Sequence, residues 1–267
     1  MRTQAHSMTC SGWSNRMRGP RRRRCLTAAA AAAVLLAGCA EDGAGARPPQ
    51  PLTAKQANQV LLTADNLGEG YETDEPGDDG STPPFGCLTA LDDFDQDVDA
   101  VEADAKFAFQ PDTTLGVPEV VNETLSFDTV AAAESFMSDF TDAFDNCSTV
   151  DERSENGIGV KLDVTLDDQQ STGADVDDQT NLRATGTFTY DDTALKFTVV
   201  MTLVRVSNNV IAVLTTDMAG LDEVDPLVAE YTRLVVDRLD AVTSGNEPPT
   251  DTATVTPTPR TGPPVSA

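Results

Sequence analysis

Histidine and tryptophan are almost missing: the 267-residue chain has one of each, His6 and Trp13, both close to its start. An alanine-rich apolar run from Ala28 to Ala37 follows seven arginines and ends in Leu36-Ala37-Gly38-Cys39. A cut before Cys39 leaves 229 residues with no imidazole. That excludes Ser-His-Asp, Cys-His and His-rich zinc chemistry from the mature protein. Basic residues are also scarce, 18 Lys+Arg against 44 Asp+Glu, and seven of the 18 precede the cut. The remaining 11 against 44 give a mature net charge of −33. Composition of this sign argues against a basic face for nucleic acid or anionic lipid.

What is present at the start is an address. Arg21-Arg22-Arg23-Arg24 forms a positive n-region, and Leu26 to Leu36 is an apolar stretch of signal-peptide length. It is too short for the roughly 20 apolar residues of a membrane span. Leu36-Ala37-Gly38-Cys39 reads as a bacterial lipobox: small residues at 37 and 38 admit the peptidase, and the Cys39 thiol takes the lipid. The expectation is a signal peptide over 1–38 and a lipidated Cys39 on the extracytoplasmic face of the cell membrane. On that oxidising side paired cysteines become disulfides. Cys10 and Cys25 leave with the leader and Cys39 is acylated, so Cys87 and Cys147 are left with one possible connectivity.

Residues 39–52 are rich in Gly, Pro and Ala and read as a tether. Residues 245–267 have no aromatic residue and no apolar periodicity, so they read as a disordered Pro/Thr-rich tail. Residues 53–244 between them are long enough for one domain with a sizeable core. Helices are expected over Thr53–Leu62, from Asp65, over Cys87–Leu91, over Thr129–Cys147 with Asp128 as cap, and from Asp225-Pro226 to Val242. The Thr129–Cys147 segment carries Ala133, Phe136, Met137, Phe140, Phe144 and Cys147 at three- and four-residue spacing, the stripe of a core-facing helix. Strands are expected over 105–109, 120–127, 158–166, 182–190, 195–206 and 210–216, with Gly68–Phe85 and Asp167–Thr180 as loops. Ser207-Asn208-Asn209 reads as a hairpin turn because asparagine tolerates the left-handed conformation. The order predicts an α+β fold, an antiparallel sheet with flanking helices in a single domain.

At this point the chain resembles the PknH-like extracellular sensor domain family of actinobacteria. The resemblance rests on Leu61-Leu62-Thr63-Ala64-Asp65, Cys87-Leu88, and a strand running into Phe127-Asp128-Thr129-Val130-Ala131-Ala132-Ala133. It continues in a helix ending at Cys147, the hairpin from Val204 to Val213 through Asn208-Asn209, and the closing helix. It implies a central antiparallel sheet, flanking helices and a cleft for an extracellular ligand. Two features depart from the family pattern. The stretch Leu195–Asp217 has no cysteine where a second disulfide is common, and Phe144 stands near the place of a characteristic tryptophan.

For chemistry, Asp93, Asp95, Asp97 and Asp99 alternate as in a calcium loop, which needs several oxygens on one cation. Val98 stands where the EF-hand turn needs glycine and Asp104 where it needs glutamate, so the run reads as a solvated acidic loop. No catalytic set and no cofactor are expected. Two functions remain. One is a membrane-anchored lipoprotein whose sensor-like domain binds a small molecule or cell-envelope component, without catalysis. The other is an interaction lipoprotein that shows an acidic surface to a protein partner and has no ligand pocket. A cleft is expected between the last helix, Leu227 to Val242, and the sheet, or beside the acidic loop 167–180.

Overall fold

The computed structural model describes residues 49–73, 86–88, 98–109, 119–153, 159–168, 172–190, 193–217 and 224–255. Cys39 with the leader, and Asp93, Asp95 and Asp97 of the acidic run, lie outside these residues.

Among the described residues eight strands make one sheet: β1 (Tyr71–Thr73), β2 (Ala100–Phe109), β3 (Glu119–Phe127), β4 (Thr149–Arg153), β5 (Gly159–Asp167), β6 (Asp178–Tyr190), β7 (Thr193–Val206) and β8 (Asn209–Asp217). Their order is β1-β2-β3-β8-β7-β6-β5-β4, and every neighbouring pair is antiparallel. Among the described residues four α-helices accompany them: α1 (Ala54–Val60), α2 (Ala64–Leu67), α3 (Val130–Phe144) and α4 (Val224–Thr243). The fold is α+β, as the sequence predicts.

Both faces of the sheet are covered near its middle. On one face Val120, Val200, Val204, Ile211 and Val213 pack with α1, α2 and α4. On the other Leu125, Leu162, Leu182, Met201 and Leu203 pack with Ala133, Met137, Phe140 and Phe144 of α3. Central β8 is therefore apolar on consecutive residues from Val210 to Val213, all buried. Strand β5, near the edge, keeps the alternation of a half-buried strand, with Val160, Leu162 and Val164 inward.

The helix caps differ from expectation. Thr129, extended at φ −142° and ψ 155°, caps α3 by accepting from the Ala132 amide (3.1 Å), so Asp128 is not the cap. At α2 the cap position is Thr63, whose amide and hydroxyl both donate to Asn66 Oδ1 at 3.0 Å, and not Asp65. Asp225 sits inside the first turn of α4 rather than ahead of it. A cap must carry extended backbone just outside the helix, and threonine holds that conformation readily.

Two short edge strands, β1 and β4, were not expected. β1 sits in a segment that reads as loop because glycines flank it; Gly70 has φ +97°, and a Cβ there would stand 2.6 Å from the Phe109 ring. The Cys87 turn is three residues of 3-10 helix, Gly86–Leu88. The β7–β8 hairpin closes on Ser207 and Asn208, and the left-handed residue is Ser207 (φ 58°), not an asparagine. Asp177 explains it: its carboxylate accepts from the Ser207 amide (2.6 Å) and pairs with Arg205 (3.3 Å). The asparagines instead bind the end of β3. Asn208 donates to the Phe127 carbonyl, and Asn209 Oδ1 accepts from Ser126 (2.6 Å).

Candidate functional site

The space between α4 and the sheet, the first place expected for a cleft, is filled. Leu227, Tyr231 and Val235 are 0% exposed and Leu234 is 2% exposed, in one cluster with Val200, Val204, Ile211 and Val213. The acidic loop is likewise stitched down. Thr172 and Gln179 are both buried and bonded to each other at 3.2 Å, and Asp177 is engaged with the β7–β8 turn.

Within the helix–sheet interior two phenols meet. Tyr231 Oη donates to Tyr71 Oη at 3.1 Å, with the rings edge to face and Phe109 beside Tyr71. Burial, above all, pushes the Tyr231 hydroxyl up to about 12 and the Tyr71 hydroxyl further above the ordinary phenol range. A raised pKa in the folded state means that this contribution to stability is whole below pH 10 and fades as pH climbs through about 12. Alkaline unfolding monitored by circular dichroism should therefore begin above pH 10 and shift upward in a Tyr71→Phe/Tyr231→Phe double variant. Tyr231→Phe alone strands the Tyr71 hydroxyl and should cost about 1–3 kcal/mol, most of which the double variant regains. Equal costs for the single and double variants would contradict this coupling.

The other buried polar groups of this region hold the chain's own end. Arg238, 7% exposed, donates from Nε to the Val60 carbonyl (3.1 Å), from Nη2 to Gln59 (2.9 Å) and from Nη1 to Pro249 (2.8 Å). Burial lowers its pKa from the ordinary guanidinium value. Asn66 donates to the Asp251 carbonyl (2.8 Å), and its own carbonyl accepts from the Ala253 amide (2.7 Å). Glu230 accepts from the Thr254 amide and hydroxyl and from the Val255 amide, each at 2.8 Å. Partial burial works against its charge, but these donors outweigh it and hold the Glu230 carboxyl below the usual range. Residues 249–255 thus form a docked strap with Ala253 buried. The sequence reading, which starts a disordered tail at Gly245, is corrected to this extent.

Of the residues singled out by sequence, Cys87 and Cys147 are joined, with Cα atoms 5.6 Å apart. Asp99 is exposed on the approach to β2, and no group of three or more His, Cys, Asp or Glu among the described residues is placed to hold a metal ion. No helix among the described residues is long and apolar enough to cross a membrane.

Among the described residues a broad surface is left open. Helix α4 lies over β8 and β7, and the same face of β4, β5, β6 and the start of β7 carries polar residues. Its register sets Asp151, Lys161, Thr187 and Lys196 side by side in one row across the four strands. The adjacent rows are Thr149, Asp163, Thr185 and Thr198, then Arg153, Gly159, Thr189 and Ala194, with Thr165 and Arg183 beyond. Lys161 pairs with Asp151 at 3.2 Å, and Arg183 pairs with Asp225 of α4. The alternation of β5 marks Lys161, Asp163 and Thr165 as its polar side, but only the cross-strand register joins them to Thr187 and Lys196.

No family model and no curated protein matches the sequence. Among solved structures, the extracellular domain of PknH from Mycobacterium tuberculosis is similar to this chain at 14% identity and a TM-score of 0.47. The match covers 72% of this chain and 98% of that one. A likeness of this strength is too slight to carry fold detail or function across.

Proposed function

We propose that this protein is a lipid-anchored lipoprotein on the extracytoplasmic face of the cell membrane, with a domain that binds rather than catalyses. The observation that carries the binding mode is the closed interior: α4 meets the sheet through side chains 0–2% exposed, so recognition falls to an outer surface. The anchor rests on Arg21–Arg24, the apolar run and Leu36-Ala37-Gly38-Cys39. The Cys87–Cys147 disulfide is consistent with an oxidising compartment. Non-catalysis rests on a mature sequence without histidine, which leaves acid–base work to carboxylates and lysines. The interaction-lipoprotein reading, an acidic surface shown to a protein partner, draws on the same closed interior and on the net charge of −33.

The test is membrane attachment. Wild-type protein should enter the detergent phase and incorporate labelled fatty acid, and Cys39→Ala should lose both. A Cys39→Ala protein that stays as membrane-bound as its parent would overturn the anchor. Reproducible turnover of a glycoside, ester or peptide, abolished by one Asp or Glu substitution in a folded protein, would overturn the binding reading.

A further inference from the structure

We infer that the seat of the strap on α2 and α4 is an exchangeable peptide site: residues 249–255 of the chain fill it within one copy, and residues 249–255 of a second copy fill it between copies. This goes beyond the binding reading above, because the partner is the same chain.

The first argument is that the side chains reading the strap are held in place by groups outside it. Asn66 Oδ1 accepts from the Thr63 amide and hydroxyl, which keeps the Asn66 amide nitrogen aimed at the Asp251 carbonyl. The Asn66 carbonyl, on α2, accepts from the Ala253 amide. Arg238 is fixed by the Gln59 and Val60 carbonyls, which leaves Nη1 for Pro249. Glu230 sits on α4 next to the fully buried Tyr231 and turns both carboxylate oxygens to the Thr254 and Val255 amides. A site whose parts stay set when it empties binds again without the cost of ordering itself.

The second argument is the way the strap is read. The seat takes hold of main chain: the carbonyls of Pro249 and Asp251 and the amides of Ala253, Thr254 and Val255. Ala253 is buried and Val255 half-buried, while Thr250, Asp251, Thr252 and Thr254 are exposed. Main-chain hydrogen bonds with a pocket for one small side chain are how a receptor takes an extended peptide. The core does not rest on this contact. Helix α4 is fixed to the sheet by Leu227, Tyr231, Leu234 and Val235, whichever way the strap lies. A segment with so little apolar burial opens as a local unit, at a free energy below that of global unfolding.

The third argument is the hinge. Helix α4 closes at Gly245 (φ +76°), whose amide donates to the Val242 carbonyl (3.1 Å), and the Asn246 amide donates to Ala241 (2.8 Å). The helix end is complete before the strap begins, so a swing of the strap breaks no helical hydrogen bond. Ser244 to Glu247 are exposed, and the proline after Glu247 favours extended backbone there. The step from Asn246 to Pro249 spans at most about 10 Å, so exchange sets the C-terminal ends of two α4 helices side by side. A strap from a second copy makes the same hydrogen bonds as the chain's own, and exchange of an identical element is a low-cost route to a dimer. Residues 249–255 are the segment whose fit to this seat is on view, and a second copy supplies them unchanged.

The test uses full chains in neutral detergent at physiological salt, which screens the repulsion between two acidic copies. One copy carries Ala253→Glu, which spoils the strap and leaves the seat intact. The other carries Glu230→Lys, which spoils the seat and leaves the strap intact, and is marked with a heavy-nitrogen label. Deuterium exchange at residues 249–255 of the Glu230→Lys copy should slow by about tenfold when the Ala253→Glu copy is added. It should stay fast alone, or with a copy carrying both substitutions. Differently tagged wild-type copies should co-purify after incubation together, and differently tagged Ala253→Glu copies should not. Thermal unfolding confirms that each variant keeps its fold, and Thr254→Pro, which removes an amide donor and buries no charge, serves as a second strap-defective copy. Unchanged exchange in the mixture, equal slowing with the doubly substituted copy, or wild-type copies that co-purify no better than Ala253→Glu copies would each overturn the proposal. No readout uses Cys39, so failure here leaves the anchor standing, and failure of the anchor leaves the exchange result standing.

Discussion

Arg238→Met is expected to lower the stability of the folded chain by about 3–5 kcal/mol. The guanidinium gives all three of its hydrogen bonds to backbone carbonyls, those of Gln59, Val60 and Pro249. Gln59 and Val60 close α1, where the last carbonyls of a helix have no partner within it and the dipole favours a cation. Methionine keeps most of the apolar stem and removes every donor, which isolates the cost of the stranded acceptors. Lysine should recover only part of the loss, because a single ammonium cannot reproduce the planar fork. Urea unfolding measures both variants. A chain ending at Asn246 lacks the Pro249 acceptor, so Arg238→Met should cost about 1 kcal/mol less in that background. A loss below 1 kcal/mol for Arg238→Met in the full chain would show that water replaces the side chain.

The strap also shows where sequence reasoning stops. Helix α3 was legible because Met137, Phe140 and Phe144 repeat at helical spacing, and β5 because Val160, Leu162 and Val164 alternate. Both signals come from burying apolar side chains on one side of an element. The strap carries no such signal, since its backbone is held by Asn66, Glu230 and Arg238 from elsewhere in the chain. A Pro/Thr-rich segment satisfied this way is indistinguishable in sequence from one that stays solvated. The open face escaped for a related reason. Lys161 and Lys196 are 35 positions apart, and only the antiparallel register through Thr187 puts them in one row. Gly186 adds a constraint that no local pattern reveals: a Cβ there would stand 1.9 Å from the Lys161 carbonyl oxygen, so β5 and β6 approach closely just where the lysine row is set.

Removing the Cys87–Cys147 bond should cost about 4 kcal/mol by the chain-entropy estimate, since it closes a loop with a sequence separation of 60. The bond ties the 3-10 turn Gly86–Leu88 to the residues that follow α3, beside β4 at the edge of the sheet. Without it, among the described residues, the contacts of the turn with β4 remain. Cys147 is 5% exposed in the cluster with Phe140 and Phe144, so alanine is the better replacement; serine would bury a hydroxyl and add its own penalty. The comparison is urea unfolding of the parent, oxidised and reduced, against Cys87→Ala/Cys147→Ala. Reduced parent and double variant should agree with each other and lie about 4 kcal/mol below the oxidised protein. A gap under 1 kcal/mol would mean that the unfolded chain keeps this loop closed by other contacts. Total stabilities of domains are about 5–15 kcal/mol, so a loss of this size is a large share of the whole. In a reducing compartment the chain would therefore hold its fold weakly, and it would reach full stability only after the pair oxidises. If the chain is exported as proposed, pulse-labelled protein in cells should be protease-sensitive before export and resistant after it, and the double-alanine variant should stay more sensitive on both sides.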